Sequence, residues 1–207
     1  MSESESTSQQ ATELTVALDM PSARVLADQA SVVQDLQYVM DCCRRLLAVL
    51  SSPEEGRDEI VPLALWSSAV VAYGRCFGAD GKSGLTVEDV RGLPLEGEVF
   101  HFHQWIIGER DLLTGHPADP FEAAKIGAAL APAALKLRRR VQGIAVFATS
   151  RVLIDATGVR QLGGLASELA KRIAGRAQTQ QDSVLSDAQK LNIDTLYAAP
   201  PLQTQPS

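Results

Sequence analysis

The chain has 207 residues, enough for one domain with appendages and for a core that needs no disulfide or metal staples. At 45% hydrophobic and 21% charged, with a mean hydropathy of 0.00, its composition is that of an ordinary soluble globular protein. Its 19 Lys and Arg against 25 Asp and Glu leave a net charge of −6, which argues against coating of duplex nucleic acid over a broad basic face but leaves room for a small basic patch.

Residues 1–24 are mainly Ser, Glu, Gln and Thr and hold too little apolar surface to offset their ordering entropy, so a disordered tail is expected there. No Lys or Arg precedes Arg24 and no apolar run follows Met1, so neither a signal nor a transit peptide is expected. The domain is expected to span residues 25–197. Its first helix runs from about Arg24 to Leu50, with Val25, Val32, Val33, Leu36, Val39, Met40, Leu46 and Leu47 at three- and four-residue steps, and Ser51, Ser52 and Pro53 stop it. A second helix starts near Asp58 and reaches Phe77. It is apolar on nearly every face, the pattern of a buried central helix or of one shared with a partner subunit. Its run from Ile60 to Tyr73 contains Ser67 and Ser68 and is too short to span a bilayer, so no membrane association is expected. A polar loop with Gly78, Gly81 and Gly84 follows, lasting to about Pro94. Within it Gly81-Lys82-Ser83 imitates the end of a phosphate-binding loop, but Cys76 stands where the first glycine must be.

The third helix covers about Leu95 to Thr114 and ends at Gly115. The β-branched and aromatic stretch from Val141 to Ile154 reads as strand. Ala123 to Leu130 fits strand or helix. Gly127 and the need for a strand partner favour a hairpin over about 121–155, with Lys136 to Arg140 near its tip. Asp155 then caps a final helix to about Leu191, with Val159, Leu162, Ala166, Leu169 and Ile173 on its buried stripe. A flexible tail is expected over 198–207. The expected fold is mainly α, a four-helix bundle with a β-hairpin inserted between the third and fourth helices.

Cys42, Cys43 and Cys76 form neither a disulfide framework nor paired metal knuckles, which suits the reducing cytoplasm, and nothing marks them as activated thiols. The three histidines, His101, His103 and His116, fall in one window and invite a metal reading. On a helix, however, His101 and His103 lie about 200° apart, so they do not grip one ion, and neither metal nor cofactor is expected. Arg110 falls inside the apolar arc of the third helix, beside His103. A guanidinium there requires either a carboxylate on another helix or a bound phosphate, for which its planar fork is suited. His116, six residues on, would face the same anion from the loop. An Arg that holds phosphate and a His that moves protons suffice for metal-free RNA cleavage by the 2′-hydroxyl. Arg75, on the apolar second helix, likewise needs an anionic partner, and a structural pair is favoured. Trp66, Tyr73, Phe77 and Trp105 read as core or interface aromatics.

The run Arg110-Asp111-Leu112-Leu113-Thr114-Gly115-His116 resembles the R-x(4–6)-H signature of the HEPN superfamily, with Asp111 at the polar position often found after its Arg. The resemblance implies a helical bundle and a homodimer in which two such motifs meet. It also implies a metal-independent endoribonuclease of toxin–antitoxin or phage-defence systems, with RNA as substrate and an antitoxin or other protein as partner. On that reading Arg110, His116 and Asp111 are catalytic. His103, Arg138, Arg139 and Arg140 would contact substrate, although a charge run such as the last three also suits a solvated loop tip. Several HEPN proteins have lost catalysis, so the alternative is a dimeric interaction or nucleotide-binding module.

Overall fold

A computed structural model describes residues 14–52, 60–77, 84–114, 125–130, 141–147 and 155–202. Asp58, the Gly81-Lys82-Ser83 loop, Gly115 and the Lys136 to Arg140 stretch lie outside the described residues. The elements run α1 (Pro21–Leu50), α2 (Ile60–Arg75), α3 (Val87–Arg91), α4 (Val99–Thr114), β1 (Lys125–Leu130), β2 (Val141–Phe147), α5 (Ala156–Ala188) and α6 (Ile193–Ala198). The protein is mainly helical, with one two-stranded antiparallel hairpin between α4 and α5. Among the described residues no helix is long and apolar enough to cross a membrane.

The long amphipathic helices α1 and α5 pack along each other, α1 also packs on α2, and α2 carries α4. Most residues of the expected stripes make the contacts, joined by Cys43 and Leu165, whereas Val25 at the start of the α1 stripe is exposed. Leu36, Val39, Cys43 and Leu46 of α1 meet Leu162, Leu165, Leu169 and Ile173 of α5 in one core, which Trp66, Val70 and Tyr73 of α2 and Ile106 of α4 complete. From Trp66 onward α2 is largely buried, as its all-round hydrophobicity suggests, whereas Ile60, Val61 and Leu63 in its first turns are exposed. Asp155 caps α5 as expected, accepting from the amides of Thr157 and Gly158, each at 2.7 Å.

Several boundaries differ from expectation, each for a local reason. α1 begins at Pro21, ahead of Arg24, because proline fits the first helical position. The chain before it is not wholly the disordered tail expected over 1–24, since Val16 bridges to Pro201 and the Leu202 amide donates to Thr15 O at 2.8 Å. The same bridge ties down part of the 198–207 segment expected to be flexible. α4 starts at Val99 rather than Leu95, because Gly97 holds a left-handed φ of 88° that interrupts the helix. α5 stops at Ala188, and Asn192 then caps the short α6, its side chain accepting from the Asp194 amide at 2.9 Å.

The largest departure is α3, which lies in the segment expected to be loop. Asp89 is buried there, and its carboxylate accepts from the Thr86 amide (2.8 Å) and hydroxyl (3.1 Å) and from both terminal nitrogens of Arg176 on α5. Arg172, one turn earlier, donates to the carbonyls of Asp89 (2.9 Å) and Gly92. Burial by itself would raise the Asp89 carboxyl, but the hydrogen bonds from Arg176 and Thr86 outweigh it and hold the group below the ordinary carboxylate range. Two arginines thus fasten α3 to α5 through a single carboxylate and the turn around it.

Candidate functional site

Arg110 sits in the last turn of α4, where that helix crosses α2 at Gly74. The crossing is close: a β-carbon on Gly74 would stand 2.2 Å from Arg110 Cδ and 2.8 Å from Cγ, so only glycine admits the arginine stem. Arg110 Nη1 donates to Gly74 O at 3.2 Å, near the C-terminal end of α2, where helix carbonyls attract cations. Arg110 Nε and Nη2 both donate to Asp111 Oδ1, at 2.9 and 2.6 Å. The carboxylate anticipated on another helix is therefore the neighbouring residue of the same helix, reached because the long arginine side chain folds back along its own turn. The pair is open to water: the Arg110 side chain is 26% exposed and that of Asp111 63%. Thr114 Oγ1 donates to Arg110 O at 2.9 Å and ties down the helix end from which the chain leads toward His116. His116, like Arg138, Arg139 and Arg140, lies outside the described residues.

Beside this crossing is an open groove of about 620 Å³ between α1, α2 and α4. Arg75, the residue after Gly74, lines it with Gln34, Tyr38, Ser67, Ser68 and Leu113, the last one turn beyond Arg110. Arg75 has the ion-pair partner that its position requires, Asp35 of α1, with Nη2–Oδ1 at 2.5 Å and Nε–Oδ2 at 3.2 Å. The pair is on the surface, so the guanidinium keeps donors facing solvent. Tyr38 presents a half-exposed ring in the same groove. That Arg75 and Tyr38 share a groove with Leu113 of α4 was not legible from α4 alone, because the groove joins three helices distant in sequence.

His103 belongs to the core and not to a substrate surface. It is 4% exposed, its Nδ1 is hydrogen-bonded to the Tyr73 hydroxyl at 2.8 Å, and the rings of Phe77 and Phe100 flank it. Burial pushes its pKa below the usual histidine value and that of Tyr73 upward, in each case against the charged form. The expectation that His103 contacts substrate is corrected accordingly: the helical arc that holds Arg110 at its open end holds His103 deep in the bundle. His101 points elsewhere, into a second groove of about 580 Å³ with Phe102, Trp105, Glu96, Glu98 and Arg160. The divergence inferred from helical geometry is thus observed, and among the described residues no three His, Cys, Asp or Glu side chains converge as a metal site would require.

Trp66 and Tyr73 are core residues, whereas Trp105 is 43% exposed and rests against Trp66 with ring centroids 6.0 Å apart. Cys42, Cys43 and Cys76 are buried, and desolvation raises all three thiols, Cys43 and Cys76 to about 12, away from the thiolate form that a nucleophile uses. The chain matches no family model, no curated protein and no solved structure.

Proposed function

We propose that the protein is a metal-independent RNA endonuclease of the HEPN type, acting as a homodimer in a toxin or phage-defence role. The observation that carries the reading is the state of Arg110. Its guanidinium is oriented by Gly74 O and Asp111, yet the pair remains open to solvent, one helical turn from Leu113 at the edge of the groove that Arg75 and Tyr38 line. An arginine sealed with its carboxylate in the core would have argued for a purely structural part. An exposed adjacent carboxylate is one that a phosphate can displace or share.

In the proposed reaction Arg110 binds a non-bridging oxygen of the scissile phosphate, and Asp111 sets the direction of its fork. His116 takes the proton of the 2′-hydroxyl as that oxygen forms its bond to phosphorus. The bond from phosphorus to the 5′-oxygen breaks, and a protonated histidine, supplied by the second copy of the motif, returns a proton to the leaving oxygen. The products are a 2′,3′-cyclic phosphate and a free 5′-hydroxyl. Arg138, Arg139 and Arg140 would follow the RNA backbone away from the cleavage point.

The test is cleavage of a labelled structured RNA by the purified full chain in EDTA. Arg110→Ala and His116→Ala are each expected to abolish it, and Asp111→Asn to reduce kcat by about tenfold or more through a misdirected Arg110. Cleavage that survives both alanine substitutions would refute the assignment. A second reading, a non-catalytic dimeric interaction or nucleotide-binding module, is favoured by the hydrogen bonds that tie Arg110 to Asp111 and Gly74 O and so give its guanidinium a structural part. It predicts no cleavage by the folded dimer.

A further inference from the structure

The groove that His101 lines runs between the start of α4 and the early turns of α5, at the opposite end of α4 from Arg110. Val99, Phe102, Trp105 and Leu165 give it an apolar and largely aromatic lining. Trp105 is 43% exposed, yet its indole is held in place, with the ring centroids of Phe102 and Trp66 at 5.6 and 6.0 Å. An indole fixed by two aromatic neighbours and still accessible is a ready platform for a ring. The volume of about 580 Å³ is that of a small-molecule site.

Gly164 shapes the α5 wall. Glycine is costly in a helix interior, and this one stands in the third turn of a 33-residue helix. Its neighbour Gly163 packs on α1, where a β-carbon would meet Cys43 Cβ at 3.4 Å. At Gly164, by contrast, no atom of the described residues lies within 4 Å of where a β-carbon would stand. The space beside it belongs to the groove.

The charges of the lining indicate what would enter. Glu96 and Glu98, on either side of Gly97, face a single guanidinium, Arg160 of α5, and all three residues are exposed. Glu98 directly precedes Val99, the first residue of α4, so the anion that a helix start attracts is supplied by the chain itself. A further anion would meet both carboxylates, in a protein of net charge −6. A cation is suited twice over, because the carboxylates attract its charge and an indole face is the best aromatic partner for it.

We propose that this groove binds a small organic cation, an ammonium group carried on a flat aromatic body, with the body against Trp105 and Phe102 and the ammonium toward Glu96 and Glu98. The inference stands whether or not the protein cleaves RNA.

The test is calorimetric titration of the full chain with three probes of similar shape: phenethylammonium, the uncharged 2-phenylethanol and the anionic 3-phenylpropionate. Phenethylammonium should bind roughly tenfold more tightly than the alcohol, and the carboxylate most weakly. Substituting both Glu96→Gln and Glu98→Gln should reduce phenethylammonium to the affinity of the alcohol. Gly164→Leu fills the groove and should abolish binding of both, with a thermal midpoint no lower than wild type because leucine favours helix. In the wild-type protein the indole N–H resonance of Trp105, one of two tryptophans, should shift on addition of phenethylammonium. No binding of phenethylammonium by the folded protein, equal affinity for the three probes, or tighter binding of 3-phenylpropionate would each overturn the proposal. So would a preference for the cation that survives loss of both carboxylates, or binding that persists in Gly164→Leu.

Discussion

Arg110 is where the local pattern and the fold inform each other most directly. Its place in the apolar arc of α4 predicts an anionic partner, and it has one. That the partner is Asp111 was not legible, because side chains at i and i+1 diverge by about 100° on a helix and meet only when the longer one folds back. Gly74 was equally silent in the sequence, since nothing near it in the chain announces that an arginine stem will cross it. The close approach makes a prediction at this scale. Gly74→Ala favours helix locally by about 1 kcal/mol but displaces the Arg110 stem. It should therefore leave the thermal midpoint near that of wild type while lowering RNA cleavage almost as far as Arg110→Ala does; full activity in Gly74→Ala would show that the crossing does not position the guanidinium. The Tyr73–His103 hydrogen bond makes another. Tyr73→Phe leaves a buried ring nitrogen without its partner and should cost about 1–2 kcal/mol in urea unfolding.

At the scale of elements, legibility followed how local each determinant is. α1 and α5 were readable from their apolar stripes, β2 from its β-branched residues, and the start of α5 from Asp155, whose contacts reach only two and three residues along the chain. The hairpin register and the exposure of its apolar side chains were not readable, because periodicity does not say whether an apolar face finds a partner. α3 was missed altogether. Five residues carry no period, and the helix depends on Arg172 and Arg176, more than 80 residues away, closing on Asp89 and its turn. Asp89→Asn should consequently destabilise the protein by about 2–3 kcal/mol, the scale of charged hydrogen bonds lost from a partly buried network. Because the folded-state pKa of Asp89 is lowered, its contribution is complete above the ordinary carboxylate pKa and is lost as pH falls through the lowered value. Unfolding midpoints of wild type and Asp89→Asn should converge at strongly acidic pH, and a gap that persists there would show that the network acts by shape alone.

For the whole molecule, the acidic charge, the mainly helical body and the exposed hairpin bear on one question, what the surface is for. His103 adds a pH dependence of its own. Its folded-state pKa lies below the unfolded value of about 6.5, so the unfolded chain binds the extra proton, and stability should be full above that pH and decline as pH falls below it. This window is separate from that of Asp89, and a His103→Gln variant should lose the near-neutral part of the slope while keeping the acidic part. Catalysis makes the more direct demand, because the proposed chemistry fixes its products and not only its rate. The measurement is the end-group composition of a structured RNA incubated with the wild-type protein in EDTA. A 2′,3′-cyclic phosphate with a free 5′-hydroxyl, absent from the Arg110→Ala and His116→Ala reactions, is the predicted result; a 3′-hydroxyl with a 5′-phosphate, or intact RNA in the presence of folded dimer, would contradict it.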